Sequence, residues 1–228
     1  MIIKQNLVSE SKYHVKCPYT MDAEFIVVHN TANNASASNE VAYMIRNNKT
    51  VSFHYAVDDK EIIQGIPENR NAFHAGDGAT GRGNRKGIAV EICYSKSGGV
   101  RFEKAEKLAA KFIAFKLKEK GWGIDKVMKH RDFSGKYCPH RTLDMGWQRF
   151  LKMIAAELNT EEEAVKYYPK YNGATRSIVD ALKSLKVDSS FTHRTKIAKA
   201  NGITLYLGTA KQNTNLLNLL KQGKLIKE

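Results

Sequence analysis

The sequence predicts an α/β fold, in which a mixed central sheet is flanked by helices, followed by a small, mostly helical C-terminal domain. Short β-branched runs alternate with longer segments of helical periodicity through residues 1–158. A polar stretch at 159–173 then interrupts the pattern, and apolar residues beyond it recur only at helical spacing. We therefore predict a first domain at 1–158, a linker at 159–173 and a second domain at 174–228.

Four strands are expected in the first domain. The run Phe25–His29 is continuously apolar and β-branched up to its histidine, which is typical of a strand buried on both faces. Phe53–Val57 and Glu61–Gly65 flank the polar turn Asp58–Lys60 and predict a hairpin. Ile88–Tyr94 is the fourth run. Alternation along it places Glu91 on the same face as Ala89 and Cys93.

Helices are predicted where apolar residues recur every three or four positions. In the first domain these segments are 38–48, 102–120 and 143–158, and Gly121 is the expected C-cap of the second helix. In the second domain they are 178–185, 191–200 and 210–221. The expected N-caps of these three helices are Ser177, Ser189 or Ser190, and Thr209.

The segment Gly76–Asn84 is expected to be a loop at the rim of a cleft, because four of its nine residues are glycine. No strand is predicted to lead into it, and no Gly-Lys-Ser/Thr sequence ends it. It is therefore not a phosphate-binding loop.

The charge of the chain indicates an anionic partner. There are 37 Lys and Arg residues against 23 Asp and Glu residues, a formal net charge of +14. Residues 1–158 hold 25 basic and 17 acidic residues (+8), and residues 159–228 hold 12 and 6 (+6). Nucleic acid, acidic lipid headgroups and anionic cell-wall polymers would all suit this balance.

Membrane insertion and export by a signal peptide are not expected. The sequence has no run of about 18 apolar residues, which a membrane-spanning helix needs. The first ten residues lack the apolar core of a secretory signal. We therefore expect synthesis in the cytoplasm and a different route for any role outside the cell.

Two histidines and a cysteine form a candidate metal site. His29 ends the first strand, His130 ends the short run Val127–His130, and Cys138 follows eight residues later. Two histidines and one thiolate are a known donor set for catalytic zinc, which keeps its fourth position open for water. The other cysteines, Cys17 and Cys93, are expected to be bystanders, because three cysteines do not make a disulfide framework.

Thiol catalysis is the alternative interpretation of the same residues. Cys138 would then be the nucleophile, with His130 or His140 as its base. Lys136 would stabilise the thiolate in that case. Spacing along the chain does not decide between the two interpretations.

Four motifs, taken together and in this order, resemble the type 2 N-acetylmuramoyl-L-alanine amidase family, which includes bacteriophage endolysins and peptidoglycan recognition proteins. The resemblance covers roughly residues 20–155, and the layout of a catalytic domain and a small basic tail is most similar to endolysins of phages that infect Bacillus. The motifs are Phe25-Ile-Val-Val-His29-Asn-Thr31, Ala72-Phe-His74-Ala-Gly76, Ile88-Ala-Val-Glu91-Ile92 and His130-Arg-Asp-Phe-Ser-Gly-Lys136-Tyr-Cys138-Pro139.

The resemblance implies roles for seven residues. It makes His29, His130 and Cys138 the ligands of one zinc ion. Glu91 matches the catalytic carboxylate, and Lys136 matches a lysine whose cation would stabilise an oxyanion. His74 matches a position that lines the substrate cleft, and His54 is a candidate for contacting substrate or supporting a ligand. The chain departs from some branches of the family at Phe53, where they carry a tyrosine, so Glu91 would carry the proton transfer.

The function implied is hydrolysis of the amide between N-acetylmuramic acid and L-alanine in peptidoglycan, by a phage or prophage endolysin during host lysis. Its partners would be peptidoglycan and the anionic wall polymers of a Gram-positive host, with residues 174–228 binding the wall. The enzyme would wait in the host cytoplasm until a holin-type pore releases it.

Two other functions remain open at the level of sequence. A catalytically silent peptidoglycan-binding protein would share the fold, although non-catalytic relatives lack the cysteine that stands here as Cys138. Nucleic-acid or polymerase binding is suggested by the net charge, but no basic stripe or set of stacking aromatic residues supports it as the main function.

Overall fold

A six-stranded sheet forms the centre of the first of two compact units. The computed structural model describes residues 1–159 and 167–228. Contacts between residues divide the chain into the units Met1–Thr160 and Glu161–Glu228. The strands in the described residues of the first unit are β1 (Lys4–Gln5), β2 (Phe25–Asn30), β3 (Tyr55–Val57), β4 (Ile62–Gln64), β5 (Gly87–Ile92) and β6 (Val127–Lys129).

The sheet is mixed, with spatial order β1-β4-β3-β5-β2-β6. β3 and β4 form the predicted antiparallel hairpin, and the other neighbouring strands are parallel. Every residue of β2 is buried, as its continuous apolar run predicted for a strand covered on both faces. Since β5, β2 and β6 are parallel, their carboxyl ends meet at one edge of the sheet, where sites of α/β proteins gather.

Helices cover the sheet of the first unit. The long helix α4 contacts both α7 and the strands β3 and β5, through a buried face that includes Phe102, Phe112 and Leu117. It ends at Gly121, which adopts the left-handed conformation of a C-cap, as predicted. The helices are α1 (Tyr13–Lys16), α2 (Ala37–Arg46), α3 (Arg82–Lys86), α4 (Gly99–Lys120), α5 (Arg131–Ser134), α6 (His140–Asp144) and α7 (Trp147–Asn159).

Two elements of the first unit differ from the prediction. The helix expected at 143–158 is two helices, α6 and α7, because Gly146 has φ +104°, which lies outside the helical region. The glycine-rich segment 76–84 is not a loop throughout, since α3 begins at Arg82. Among the described residues, no helix has the length and hydropathy needed to cross a membrane.

The second unit is helical in its described residues, with α8 (Ile178–Ser184), α9 (Phe191–Ala200) and α10 (Ala210–Lys221). Ser177, Ser190 and Thr209 cap these helices through their side chains, as predicted. The helices share one core, whose fully buried side chains include Leu182, Ile197, Leu216 and Leu220.

The expected linker at 159–173 overlaps the two units at its ends. Asn159 is the last residue of α7, and residues 160–166 lie outside the described residues. From Tyr167 onwards the chain joins the second unit: the Tyr168 ring is buried in its core, and the Tyr168 amide donates to the Leu225 carbonyl at 2.8 Å. Burial of the large aromatic ring of Tyr168 in this core is favourable, whereas an extended linker would leave the ring exposed.

We expect Thr209→Ala to weaken the second unit. Thr209 Oγ1 accepts from the Gln212 amide, and the Gln212 side chain accepts from the Thr209 amide, so the substitution leaves the Gln212 N–H without its partner. The loss should be about 1 kcal/mol, measured as faster native-state hydrogen exchange of the α10 amides. Thr214→Ala is the control, because Thr214 is exposed within the same helix. Equal exchange in the two variants would contradict the prediction.

Candidate metal centre

Strand register places three of the predicted residues side by side. His29 on β2 pairs with Glu91 on β5, so their side chains lie on neighbouring parallel strands. On the other side, Val28 pairs with Lys129 on β6, and the His130 amide donates to the Val28 carbonyl at 3.3 Å. Residues opposite each other in neighbouring strands are roughly 5 Å apart. The carboxyl edge of the sheet therefore carries both histidines and the acid together.

The donor atoms of His29, His130 and Cys138 converge in a buried position. The His29 Nδ1 atom lies 3.0 Å from His130 Nδ1 and 3.9 Å from Cys138 Sγ. All three donor atoms lie within 4.8 Å of one another. Tetrahedral coordination with bonds of about 2.0–2.3 Å separates ligand atoms by roughly 3.3–3.6 Å, between the two shorter separations found here. The residues fit a metal ion with an open fourth position.

The electrostatic surroundings favour neutral imidazoles with free lone pairs. Burial lowers the pKa of His29 well below its ordinary value and that of His130 to about 4, and the Lys136 cation acts in the same direction. Burial also raises the pKa of Cys138 to about 12. A nucleophilic cysteine needs a lowered pKa. This environment therefore favours metal ligation over thiol catalysis, because a metal ion itself supplies the charge that stabilises a thiolate.

His74 holds the ring of His29 from the other side. Its Nδ1 atom lies 3.0 Å from His29 Nε2, and the two rings are nearly perpendicular. If His29 Nδ1 held a metal ion, Nε2 would carry the proton and would donate a hydrogen bond to His74 Nδ1. His74 is buried at 8% exposure, so it contacts the candidate ligand His29 rather than lying open to solvent.

Two asparagines that the sequence analysis did not single out fix the backbone around the site. Asn84 Oδ1 accepts from the amides of His74 and Ala75 at 2.7 and 2.8 Å. Asn30 Nδ2 donates to the His29 carbonyl, and its Oδ1 accepts from the amides that open α6, Arg141 and Thr142. The position of Asn30 directly after His29 was the available signal. Asn84 gave none, because it binds amides nine and ten positions earlier in the chain.

The close approach of Ser134 explains why position 76, two residues after His74, is a glycine. Gly76 has φ +70°, and a Cβ atom there would lie 3.0 Å from Ser134 Oγ and 3.5 Å from His130 Nε2. A side chain would be strained at this φ and would crowd Ser134.

Glu91 lines a cavity of about 190 Å³. Its Oε2 atom is buried without a hydrogen-bond partner. Burial raises the pKa of Glu91 to about 8, the charge of Glu40 adds to this rise, and Lys136 opposes it. A carboxyl group with a pKa near neutrality can both accept and return a proton. Phe53, the departure noted in the sequence, lines the same cavity.

Lys136 and His54 occupy different environments. Lys136 is exposed, and its charge lowers the pKa of His29, His130 and Glu91. His54 is completely buried, with Nδ1 accepting from the Ala89 amide and Nε2 donating to the Arg70 carbonyl. His54 therefore supports strand β5 and does not face a substrate.

Asp132 and the two other cysteines lie outside the group of donor atoms. Asp132 accepts from the Lys129 amide at 2.9 Å and pairs with its ammonium, so it stabilises the turn that carries His130. Cys17 and Cys93 are buried, free thiols outside the group of donor atoms.

Comparison with known proteins identifies the family. The profile of the N-acetylmuramoyl-L-alanine amidase family matches residues 19–141. The chain belongs to this family. It is 54% identical to the N-acetylmuramoyl-L-alanine amidase CwlA of Bacillus subtilis over 202 residues, which cover 88% of this chain and 71% of CwlA. It is 61% identical to the amidase XlyB of the same organism over 165 residues, 72% of this chain and 52% of XlyB, so it spans about half of that relative.

Solved structures agree with the fold of the first unit. The structure of PlyL is 54% identical, with a TM-score of 0.66 over 68% of this chain and 97% of that chain. The solution structure of the PlyG catalytic domain is 51% identical, with a TM-score of 0.66 over 71% of this chain and 99% of that chain. The predicted family, the amidase assignment and the mixed α/β fold are confirmed.

We expect Cys138→Ala to abolish tight metal binding while the fold is kept. Removing the only sulfur donor of the group should lower the affinity for zinc at least about 100-fold, since loss of a merely supporting residue costs 10–100-fold. Metal content after dialysis against a range of free zinc concentrations measures this loss. Cys17→Ala removes a buried thiol elsewhere and should retain about one zinc ion per chain. Equal zinc affinity in both variants would show that the cluster is not a metal site.

Proposed function

We propose that this chain is a zinc-dependent N-acetylmuramoyl-L-alanine amidase that acts as an endolysin. It would cleave the amide between N-acetylmuramic acid and L-alanine. The observation that carries the proposal is the position of Glu91, whose Oε2 atom is buried without a hydrogen-bond partner, on the strand next to His29 and at the border of a cavity. Family membership supports the peptidoglycan substrate.

His29, His130 and Cys138 would hold the zinc ion, which when bound lowers the pKa of a water ligand and polarises a carbonyl. Glu91 takes the proton of the attacking water as the new C–O bond forms. It then gives that proton to the nitrogen as the C–N bond breaks, so that the products are a lactyl carboxylic acid and a free amine. The Lys136 cation stabilises the negative charge that develops on the amide oxygen.

We expect Glu91→Gln to lower kcat at least about 100-fold, because a neutral amide does not accept a proton. Zinc content should stay at the level of the unmodified chain. The assay measures new amino groups released from purified cell walls, with identification of N-terminal L-alanine. Glu103→Gln is the matched control, since Glu103 is exposed on α4. A fully active, zinc-loaded Glu91→Gln variant would disprove the role of this residue.

We propose that the second unit binds anionic polymers of a Gram-positive cell wall. Residues 159–228 carry 12 basic and 6 acidic residues, a net charge of +6, which suits wall polymers that carry phosphate or carboxylate groups. The alignment with CwlA extends beyond the length of the first unit, because it includes 202 residues. The proposed endolysin role also includes storage in the host cytoplasm and release through a holin-type pore.

A chain that ends at Asn159 should bind walls more weakly than the full chain. We expect the loss to be largest at low ionic strength, because attraction between exposed charges is screened as salt increases. Sedimentation of each protein with purified Gram-positive walls measures the difference. The NaCl concentration is varied from about 20 to about 300 mM, over which the Debye length falls more than twofold. Equal binding by the two chains at every salt concentration would remove the targeting role.

A further inference from the structure

The cavity beside Glu91 has an outer wall without regular secondary structure. This wall is the segment 47–51, which follows the end of α2 at Arg46. Three of its alternate residues, Asn47, Lys49 and Val51, line the cavity. Backbone carbonyls outside helices and strands need other partners, and those near the surface usually find them in water.

A buried lysine supplies these partners here. Lys16 has no exposed surface, and its ammonium donates to Asn47 Oδ1 at 3.0 Å, to the Lys49 carbonyl and to the Val51 carbonyl at 3.2 Å. An ammonium has three N–H donors, and these three acceptors use all of them. The three residues that line the cavity are thus the same three that Lys16 holds.

Other contacts fasten the two segments to each other. The Ser52 hydroxyl donates to the Lys16 carbonyl at 2.6 Å, and the Asn47 Oδ1 that Lys16 binds also accepts from the Lys49 amide at 2.9 Å. Lys16 lies before residue 19, where the match to the family profile begins. The support of the wall therefore comes from a residue outside the segment that the family profile matches.

We propose that Lys16 is a positioning residue for the amidase reaction: by holding the segment 47–51 as the outer wall of the cavity, it sets the affinity for the muropeptide substrate. The proposal rests on the proposed function, since the cavity adjoins Glu91. Lys16 touches neither the metal donors nor Glu91, so it acts through the wall. A wall that is not held must be ordered when substrate binds, and that ordering reduces the affinity.

The test compares Lys16→Met with Lys12→Met in the full, zinc-loaded chain. Lys12 lies just before α1, and its ammonium caps α2 at the Ile45 and Arg46 carbonyls without contacting the residues that Lys16 holds. With a soluble muropeptide as substrate, Lys16→Met should raise KM roughly tenfold, equivalent to ~1.4 kcal/mol, and change kcat less than about twofold. Lys12→Met should leave both constants within about twofold of the unmodified chain.

Hydrogen exchange gives an independent readout of the wall itself. Amides in residues 47–51 should exchange faster in Lys16→Met, while those of β2 and β5 stay protected. An unchanged KM in a folded variant would overturn the proposal, and so would a fall in kcat alone. If neither Lys16→Met nor Lys16→Gln folds, the lysine serves the fold instead of the cleft, and the proposal is wrong. The KM comparison does not depend on which residue moves the proton, so an active Glu91→Gln variant would refute only the mechanism.

Discussion

The parallel register of β5, β2 and β6 is the constraint on which the site depends. It places Glu91 and His130 on either side of His29, at the edge where all three strands end. A shift of one residue in any of these strands would turn its side chain to the opposite face of the sheet. The continuous burial of β2 on both faces makes such a shift costly, because charged or polar groups would enter the core.

Convergence of three donor atoms in a buried pocket requires support, because each donor has lost its water. The support comes from side chains that contact backbone and ring atoms rather than a metal ion: His74 at the His29 ring, Asn84 beneath the His74 segment and Asn30 between His29 and α6. These contacts fix the orientation of the ligand candidates before any ion arrives. Such pre-organisation is what separates a metal site from a chance group of histidines.

Hydrogen bonds hold both the candidate metal centre and part of the cavity wall in place. Glu91 lines the cavity. Its Oε2 atom has no hydrogen-bond partner, and the carboxyl group needs this freedom to exchange a proton. The segment 47–51 also lines the cavity, and its polar groups accept hydrogen bonds from the buried ammonium of Lys16. Glu91 Oε2 is therefore free of hydrogen bonds, whereas the segment 47–51 beside it is held in place. The basic helical unit has its own core and does not contribute to the described metal donors.

Local sequence determined the elements, since alternation, helical periodicity and capping residues act over a few positions: β2, the hairpin, α4 and the caps of α8 to α10 followed from it. Spacing left zinc ligation and thiol catalysis open for His29, His130 and Cys138, and the resemblance of ordered motifs favoured zinc ligation. Tertiary structure alone decided the rest. The break at Gly146 depends on a φ value that no pattern shows. The roles of Asn84 and Lys16 depend on contacts across ten or more positions, and spacing along a chain carries no distance through space.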